Sequence, residues 1–224
     1  MEDEPMVHGF DHKMRIHFIR HAHSTSNAHG NIIGGVNADL APRGFEEIGM
    51  LNQYLERHPL PFDAVYCSTM FRARRTLEEL RPGLRIVDPL IERYDGRLRE
   101  INRGDWDGRL RDEIYDDYEK RKVALLDFDH SAPNGESMSC VRRRMRHWLY
   151  DATLEGKRRG WTSIAAITHG IALKSLLQAL FRMDQKTAWQ THIWNTSITT
   201  VECLGNDQWK LIRLNAVPHL PPAW

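Results

Sequence analysis

Short apolar runs alternate along the chain with longer segments in which apolar residues recur every three or four positions. Residues 14–20 and 162–167 are largely apolar but too short for helices, so each run predicts a buried β-strand. Pro42 favours a helix start, and the periodic pattern that follows it continues to about Arg57. The apolar residues on the predicted buried face of this helix are Ile48, Leu51 and Leu55.

The same criteria predict further strands and helices in alternation. The other predicted strands are residues 62–66, 84–87, 197–204 and 208–214, the last two joined as a hairpin. The other predicted helices are one that Ser68 caps and that ends at Leu80, residues 109–126, residues 136–155, and one from Gly170 to Phe181. Because strands alternate with helices, we expect an α/β protein with three layers, α/β/α, and a mostly parallel central sheet.

Neither a repeat nor a linker divides the pattern, so we expect a single domain over residues 14–216. Residues 1–13 are expected to be a poorly ordered N-terminal extension, and residues 217–224, with three prolines, an irregular C-terminal tail. Residues 88–110 show no clear period and contain several glycines. We therefore expect residues 88–135 to leave the sheet and to cover the mouth of a site.

The composition excludes several classes of protein. Of the 224 residues 41% are hydrophobic and 27% charged, and the net charge is only +1, which gives no reason to expect nucleic acid as a partner. No run approaches the roughly 18 apolar residues of a membrane span, and residues 1–13 lack the apolar core of a secretory signal. We therefore expect a cytoplasmic protein with no membrane partner. The three cysteines are far apart and odd in number, which favours reduced thiols over a zinc site or disulfides.

Two histidines stand where two predicted strands end. His21 follows residues 14–20, and His169 follows residues 162–167. Ligands of open α/β sheets bind beyond the carboxyl ends of the strands, so the two side chains could meet there. Arg20 precedes the first histidine, and Gly170 follows the second at a predicted helix start, where free N–H groups attract anions. The chain has 12 histidines, so ordinary loop positions remain an alternative.

Residues 20–27 read R-H-A-H-S-T-S-N and resemble the signature R-H-G-x-[ST]-x-x-N of the histidine phosphatase superfamily, the phosphoglycerate mutase-like group of branch 1. Further blocks agree with that family in the same order: residues 40–44, 65–76, 98–108, 134–137 and 167–170. The resemblance covers roughly residues 14–204 and implies a phosphoglycerate mutase-like fold. The departures from the family pattern are Ala22 for glycine, His23 for Glu or Gln, Asn37 for Asp, and Ala41 for Thr.

The resemblance implies three catalytic residues. His21 would attack phosphorus through one ring nitrogen while the other donates its proton to a backbone carbonyl. His169 would lie on the opposite side of the phosphoryl group and stabilise its charge. Glu100 would protonate the leaving oxygen and then deprotonate the attacking water, although beside three arginines it also fits a surface carboxylate.

The resemblance also implies a phosphate-binding set of four residues. Arg20 and Arg72 would bind phosphate oxygens with their guanidinium groups, Asn27 with its side-chain amide, and Gly170 at the helix start. Since arginines and histidines already supply positive charge, no metal and no other cofactor is expected.

Three functions remain open at this point. We favour a phosphatase acting on a small phosphorylated substrate. A phosphoglycerate-type mutase would share the catalytic residues, but Glu100 is followed by I-N-R instead of the R-x-Y of the mutases. A non-catalytic phosphate-binding scaffold is the third. The sequence names no substrate and leaves the protein as a monomer or a homodimer.

Overall fold

The computed structural model describes residues 12–28, 38–87, 91–114, 127–205 and 207–222. Its strands are β1 (Met14–Arg20), β2 (Pro61–Phe62), β3 (Ala64–Ser68), β4 (Arg85–Ile86), β5 (Glu92–Asp95), β6 (Ser163–Thr168), β7 (Ile198–Gly205) and β8 (Gln208–Ala216). Its helices are α1 (Thr25–Ala28), α2 (Pro42–Arg57), α3 (Phe71–Leu80), α4 (Arg111–Ile114), α5 (Met138–Arg159), α6 (Gly170–Phe181) and α7 (Gln185–Gln190). Two 3₁₀ turns occupy Gly96–Leu98 and Gly104–Trp106.

Six strands form the main sheet in the order β5-β3-β6-β1-β7-β8. The first four are mutually parallel, β7 pairs antiparallel with β1, and β8 pairs antiparallel with β7. The predicted mostly parallel α/β sheet is therefore confirmed. The carboxyl ends of β3, β6 and β1 lie side by side at one edge, because Cys67 pairs with Ile167 and Arg20 with Thr168.

Two apolar clusters cover the two faces of the sheet and make the predicted three layers. One cluster centres on Trp148 of α5 and includes Leu173 of α6. The other contains Leu51 of α2 and Leu77 of α3. Strand β1 contributes to both clusters, because side chains alternate along a strand: Phe18 packs in the first cluster and Ile19 in the second.

Several boundaries agree with the pattern. Strand β1 and the helices α2 and α6 begin and end at the residues predicted for them, and Pro42 occupies the first turn of α2. The predicted hairpin is present as β7 and β8. The predicted helix 136–155 is observed as Met138–Arg159, displaced towards the carboxyl end.

Other expectations were wrong. Ser68 does not cap α3, because Met70 is the N-cap residue and Ser68 ends strand β3. Residues 88–135 do not leave the sheet entirely, because Glu92–Asp95 pairs in parallel with β3 at the sheet edge. The predicted strand at residues 84–87 is reduced to Arg85–Ile86, which pairs with β2 outside the main sheet.

Parts of some predictions lie outside the described residues. These parts are residues 1–11 of the N-terminal extension, 88–90 and 115–126 of the predicted covering segment, and 223–224 of the tail. No helix among the described residues is both long and apolar enough to cross a bilayer.

Candidate active site

The two histidines predicted from the strand ends lie next to each other. His21 and His169 follow the paired residues Arg20 and Thr168 of neighbouring parallel strands, and the backbone N–H of His21 donates to the carbonyl of Thr168 at 2.9 Å. Their ring centroids are 4.9 Å apart, with planes inclined by 52°. Exposed fractions of 2% and 0% show that both rings are shielded from solvent.

The surroundings of His21 fix its tautomer. Its Nδ1 lies 2.8 Å from the carbonyl oxygen of Ala22, which can only accept, so Nδ1 carries the hydrogen. Its Nε2 then has a lone pair, and the Nε–H of Arg72 donates to it at 3.1 Å. Burial lowers the pKa of His21 well below its usual value, and the positive charges of Arg72 and Arg20 lower it further. The ring is therefore neutral near pH 7, with Nε2 able to act as a nucleophile.

Arg72 reaches the site from the first turn of α3. Its side chain is buried, and burial lowers its pKa from the ordinary value. A chain of hydrogen bonds connects this turn to the loop after β1: Thr76 donates to the carbonyl of Arg72 at 2.7 Å and accepts from the N–H of Ala22 at 3.0 Å. The helix that carries the guanidinium is thus attached to the residue after His21.

Arg20 and Gly170 meet at the amino end of α6. The Nη1 of Arg20 donates to the carbonyl of Ile193 at 2.6 Å, and its Nε is buried without a partner among the described residues. A Cβ atom added to Gly170 would lie 3.6 Å from that Nε. The guanidinium therefore lies beside the helix end, where N–H groups and the helix dipole favour an anion.

Glu100 lies at the same helix end. One carboxylate oxygen accepts the N–H of Ile171 and the other that of Ala172, both at 3.1 Å. Its main-chain carbonyl accepts from Nη2 of Arg144 at 3.1 Å, and that arginine also binds both carboxylate oxygens of Glu136. Arg144 is one of three consecutive arginines, residues 142–144, near the start of α5.

Asn27 is oriented by donors that converge on its oxygen. Oδ1 accepts from the backbone N–H of Ser24 at 3.1 Å, from the hydroxyl of Ser24 at 2.9 Å, and from Nδ2 of Asn195 at 3.3 Å. Because the side-chain oxygen of Asn27 accepts these hydrogen bonds, the opposite side of the amide presents its N–H groups as donors.

Asn195 is a site residue that the sequence analysis missed. Its Nδ2 donates to the carbonyl of His21 at 2.8 Å and to Asn27, so it connects the loop before β7 with the loop after β1. The following residue, Thr196, has a positive φ of 54° and donates its N–H to the carbonyl of Arg20. The unusual backbone at this position left no recognisable sign in the sequence.

The departures from the family pattern are accommodated. Ala22 is fully buried and packs in the second core cluster, and Ala41 caps α2 without a side-chain hydrogen bond. His23 donates its N–H to the buried Glu47 at 2.9 Å. Gly44 allows α2 to approach this loop, because a Cβ there would lie 2.3 Å from the carbonyl oxygen of His23. Asn37 lies outside the described residues.

A metal site is not evident in the part of the chain that the structure describes. No group of three or more His, Cys, Asp or Glu side chains there is arranged to hold an ion. The expectation that no metal or other cofactor takes part stays a prediction.

The fold and the grouping of two histidines with two arginines define an α/β enzyme that acts on phosphate esters. The chain belongs to the histidine phosphatase superfamily, branch 1, whose family model matches residues 16–217.

Similar proteins agree with this assignment. Phosphoserine phosphatase 1 of Hydrogenobacter thermophilus is 25% identical over 92% of this chain and 94% of that protein. The adenosylcobalamin/alpha-ribazole phosphatase of Escherichia coli is 28% identical over 80% of this chain and 85% of its own. A phosphoglycerate mutase structure from Bacillus anthracis shares the fold, with a TM-score of 0.79 and 16% identity, and covers 93% of this chain and 96% of its own.

Proposed function

We propose that this protein hydrolyses a small phosphomonoester through a phosphohistidine formed on His21. The observation that carries the proposal is the state of that ring: Nδ1–H is bound to the carbonyl of Ala22, Nε2 has a lone pair that accepts from Arg72, and the ring of His169 lies 4.9 Å away. A nucleophile, its orienting group and cationic donors thus lie within one buried cluster.

The first step transfers the phosphoryl group to the enzyme. Nε2 of His21 forms a bond to phosphorus while the bond from phosphorus to the leaving oxygen breaks. Arg72 gives up its hydrogen bond to Nε2 at this point and binds phosphoryl oxygens together with Arg20, while the amide of Asn27 donates to a third oxygen. Glu100, beside the amino end of α6, supplies the proton that the leaving oxygen needs.

The second step releases phosphate. Water attacks the phosphorus of phosphohistidine, the N–P bond breaks, and the electron pair returns to Nε2 of His21. The carboxylate of Glu100 takes the proton that the water loses, which restores the acid for the next cycle. The arginines hold the departing phosphate until it leaves.

Hydrolysis is favoured over phosphoglycerate-type mutase activity by two observations. The residues after Glu100 are I-N-R, unlike the R-x-Y of mutases. Two relatives that align over most of this chain are named as phosphatases, of phosphoserine and of a cobalamin or ribazole phosphate. We infer that the substrate is a small phosphorylated metabolite of this kind, and that neither nucleic acid nor a membrane is needed as a partner.

The test is a panel of phosphorylated metabolites assayed for release of inorganic phosphate, with ³²P-labelled substrate quenched during turnover. We expect an acid-labile, base-stable label on the wild-type protein and none on His21→Ala. The control is His17→Val, which removes another buried histidine, on strand β1, and should keep the label.

Two results would contradict the proposal. If 3-phosphoglycerate turnover needed a bisphosphorylated primer and released no phosphate, the protein would be a mutase. If folded protein left p-nitrophenyl phosphate unchanged from pH 4 to 8, the scaffold alternative would replace both enzymes.

A further inference from the structure

Ser68 contacts the second histidine of the site. It ends β3, which pairs in parallel with β6, so its position at the carboxyl edge brings it beside His169. Its Oγ lies 2.8 Å from Nε2 of His169, and both residues are fully buried. The distance alone does not say which atom carries the hydrogen, because a hydroxyl and an imidazole nitrogen can each donate or accept.

A count of donors and acceptors shows which way the hydrogen bond between Ser68 and His169 runs. The backbone N–H of Met70 donates to the Oγ of Ser68 at 3.3 Å, which uses one lone pair of that oxygen. The hydroxyl hydrogen still needs an acceptor, and Nε2 of His169 is the one within reach among the described residues. Were Nε2 to donate instead, a buried hydroxyl hydrogen and the lone pair of Nδ1 would both lack a partner, which costs more than leaving one donor unpaired.

The other nitrogen of His169 is then the donor that substrate can use. Nδ1 is buried and has no hydrogen-bond partner among the described residues, on a ring 4.9 Å from that of His21. Burial lowers the pKa of His169 well below its usual value, and Arg72 and His21 lower it further, so the ring is neutral and its tautomer matters.

We propose that Ser68 is a positioning residue that holds neutral His169 as its Nδ1–H tautomer, so that Nδ1 donates to an oxygen of the transferred phosphoryl group. The other tautomer would direct a lone pair at that oxygen and repel it. The placement of the hydrogen on Nδ1 follows from the contacts alone, whereas the role of that hydrogen rests on the proposed function.

Nuclear magnetic resonance reads the tautomer directly. In protein labelled with ¹⁵N-histidine, two-bond ¹H–¹⁵N spectra at pH 7.5 should show a protonated Nδ1 and an unprotonated Nε2 for His169. The reverse pattern in the wild-type protein would overturn the proposal. This measurement needs no turnover, so a protein that hydrolysed nothing would still be informative about Ser68.

Variants then connect the tautomer to activity. In Ser68→Ala we expect the two nitrogen shifts of His169 to converge or exchange, and phosphate release to slow by about tenfold or more, less than the full loss of an oxyanion donor. The matched control is Ser175→Ala, which removes a buried hydroxyl from α6 that has no described partner, and it should change neither reading. Vanadate, a phosphate mimic, should shift the NMR resonance of the Nδ1 proton of His169 downfield in the wild-type protein but not in Ser68→Ala.

The outcomes separate the two proposals. An Nδ1–H tautomer that persists unchanged in Ser68→Ala would remove the serine from this role and leave the phosphatase proposal intact. Equal rates of phosphate release in Ser68→Ala and Ser175→Ala would also remove the serine from this role and leave the phosphatase proposal intact.

Discussion

The site has two halves that are built in different ways. The nucleophile half, which we define as Arg20, His21, Arg72 and His169 and name after the role proposed for His21, lies at the ends of paired strands and on the first turn of α3. The acid half, which we define as residues 96–102 and name after the role proposed for Glu100, is a 3₁₀ turn followed by residues without regular secondary structure. Hydrogen bonds of the sheet position the first half, whereas side chains position most of the second.

The contacts of the acid half show this dependence. Thr168 donates to the carbonyl of Leu98 at 2.8 Å, and Arg144 donates to the carbonyls of Arg97 and Glu100. Burial alone would raise the pKa of Glu136, but its hydrogen bonds with Arg144 and Asn102 outweigh burial and lower it, which keeps the carboxylate charged. A single side-chain change can therefore move the acid while the nucleophile stays in place.

The largest effect should come from the nucleophile half. We expect His21→Ala to lower kcat by about 10⁴-fold or more for every ester, because the proposed mechanism has no second nucleophile. Phosphate release from p-nitrophenyl phosphate measures it. A variant that kept even a tenth of the wild-type rate would show that the phosphoryl group is transferred elsewhere.

Loss of the acid should depend on the leaving group. We expect Glu100→Gln to slow alkyl phosphates by about 10² to 10³-fold, because the poor leaving alkoxide needs a proton. The good leaving group of p-nitrophenyl phosphate should be slowed less than about tenfold. The control Glu113→Gln, at a half-exposed carboxylate on α4, should change neither rate. Equal slowing of both esters would exclude Glu100 as the acid.

A smaller effect with the same signature should come from Arg144. Arg144→Lys keeps the charge but loses the fork that binds Glu136 and two carbonyls at once. We expect about a tenfold loss on alkyl phosphates, little change on p-nitrophenyl phosphate, and about 1–3 kcal/mol lower unfolding free energy. Its neighbour Arg142 contacts Gln178 instead, so Arg142→Lys is the matched control. Similar losses of activity on alkyl phosphates and on p-nitrophenyl phosphate would mean that Arg144 contributes only to the stability of the fold.

The same contrast explains how much the sequence could predict. For Arg20, His21 and His169 of the nucleophile half, local signals were sufficient: a short apolar run ends at Arg20, and a second leads to His169 and the helix start at Gly170. Parallel pairing of β1 with β6 then brings the two strand ends together, so no further signal is needed to predict that they meet. The family motif added Arg72 and Glu100, which neither periodicity nor spacing identifies.

The missed features depend on partners far along the chain. The edge strand β5 consists of E-R-Y-D, and its charged side chains pair with Arg81, the residue after α3, and with Glu155 of α5. Ser68 looked like a helix cap because serine before a helix usually is one, yet its hydroxyl serves His169, 101 residues away. Asn195 acts at a distance of 174 residues, on the carbonyl of His21.

The smallest effect on activity should come from His17, a buried histidine on β1. His17 lies beside Thr200, whose hydroxyl is 3.0 Å from Nδ1, and no catalytic task is proposed for it. Burial, with Arg15 and Arg213, lowers the pKa of His17 from 6.5 to about 4. The folded state therefore prefers the neutral ring, and the stability this provides is complete above pH 6.5 and is lost as the pH falls towards 4.

Replacing this histidine separates burial from catalysis. We expect His17→Val to keep full activity at pH 7, and the unfolding free energy of wild type relative to this variant to fall by about 2–3 kcal/mol between pH 7 and 4.5. Urea unfolding at both pH values measures the change. The loss of the Thr200 contact is the same at each pH and cancels, as does the acid titration of His219, whose pKa is also lowered to about 4 by burial. A difference that did not vary with pH would mean that His17 titrates normally in the folded state, and that burial in this sheet is not sufficient to keep a histidine neutral. The neutral state inferred for His21 would then have to rest on its own contacts, which are the hydrogen bond from Arg72 to Nε2 and the positive charge of Arg20.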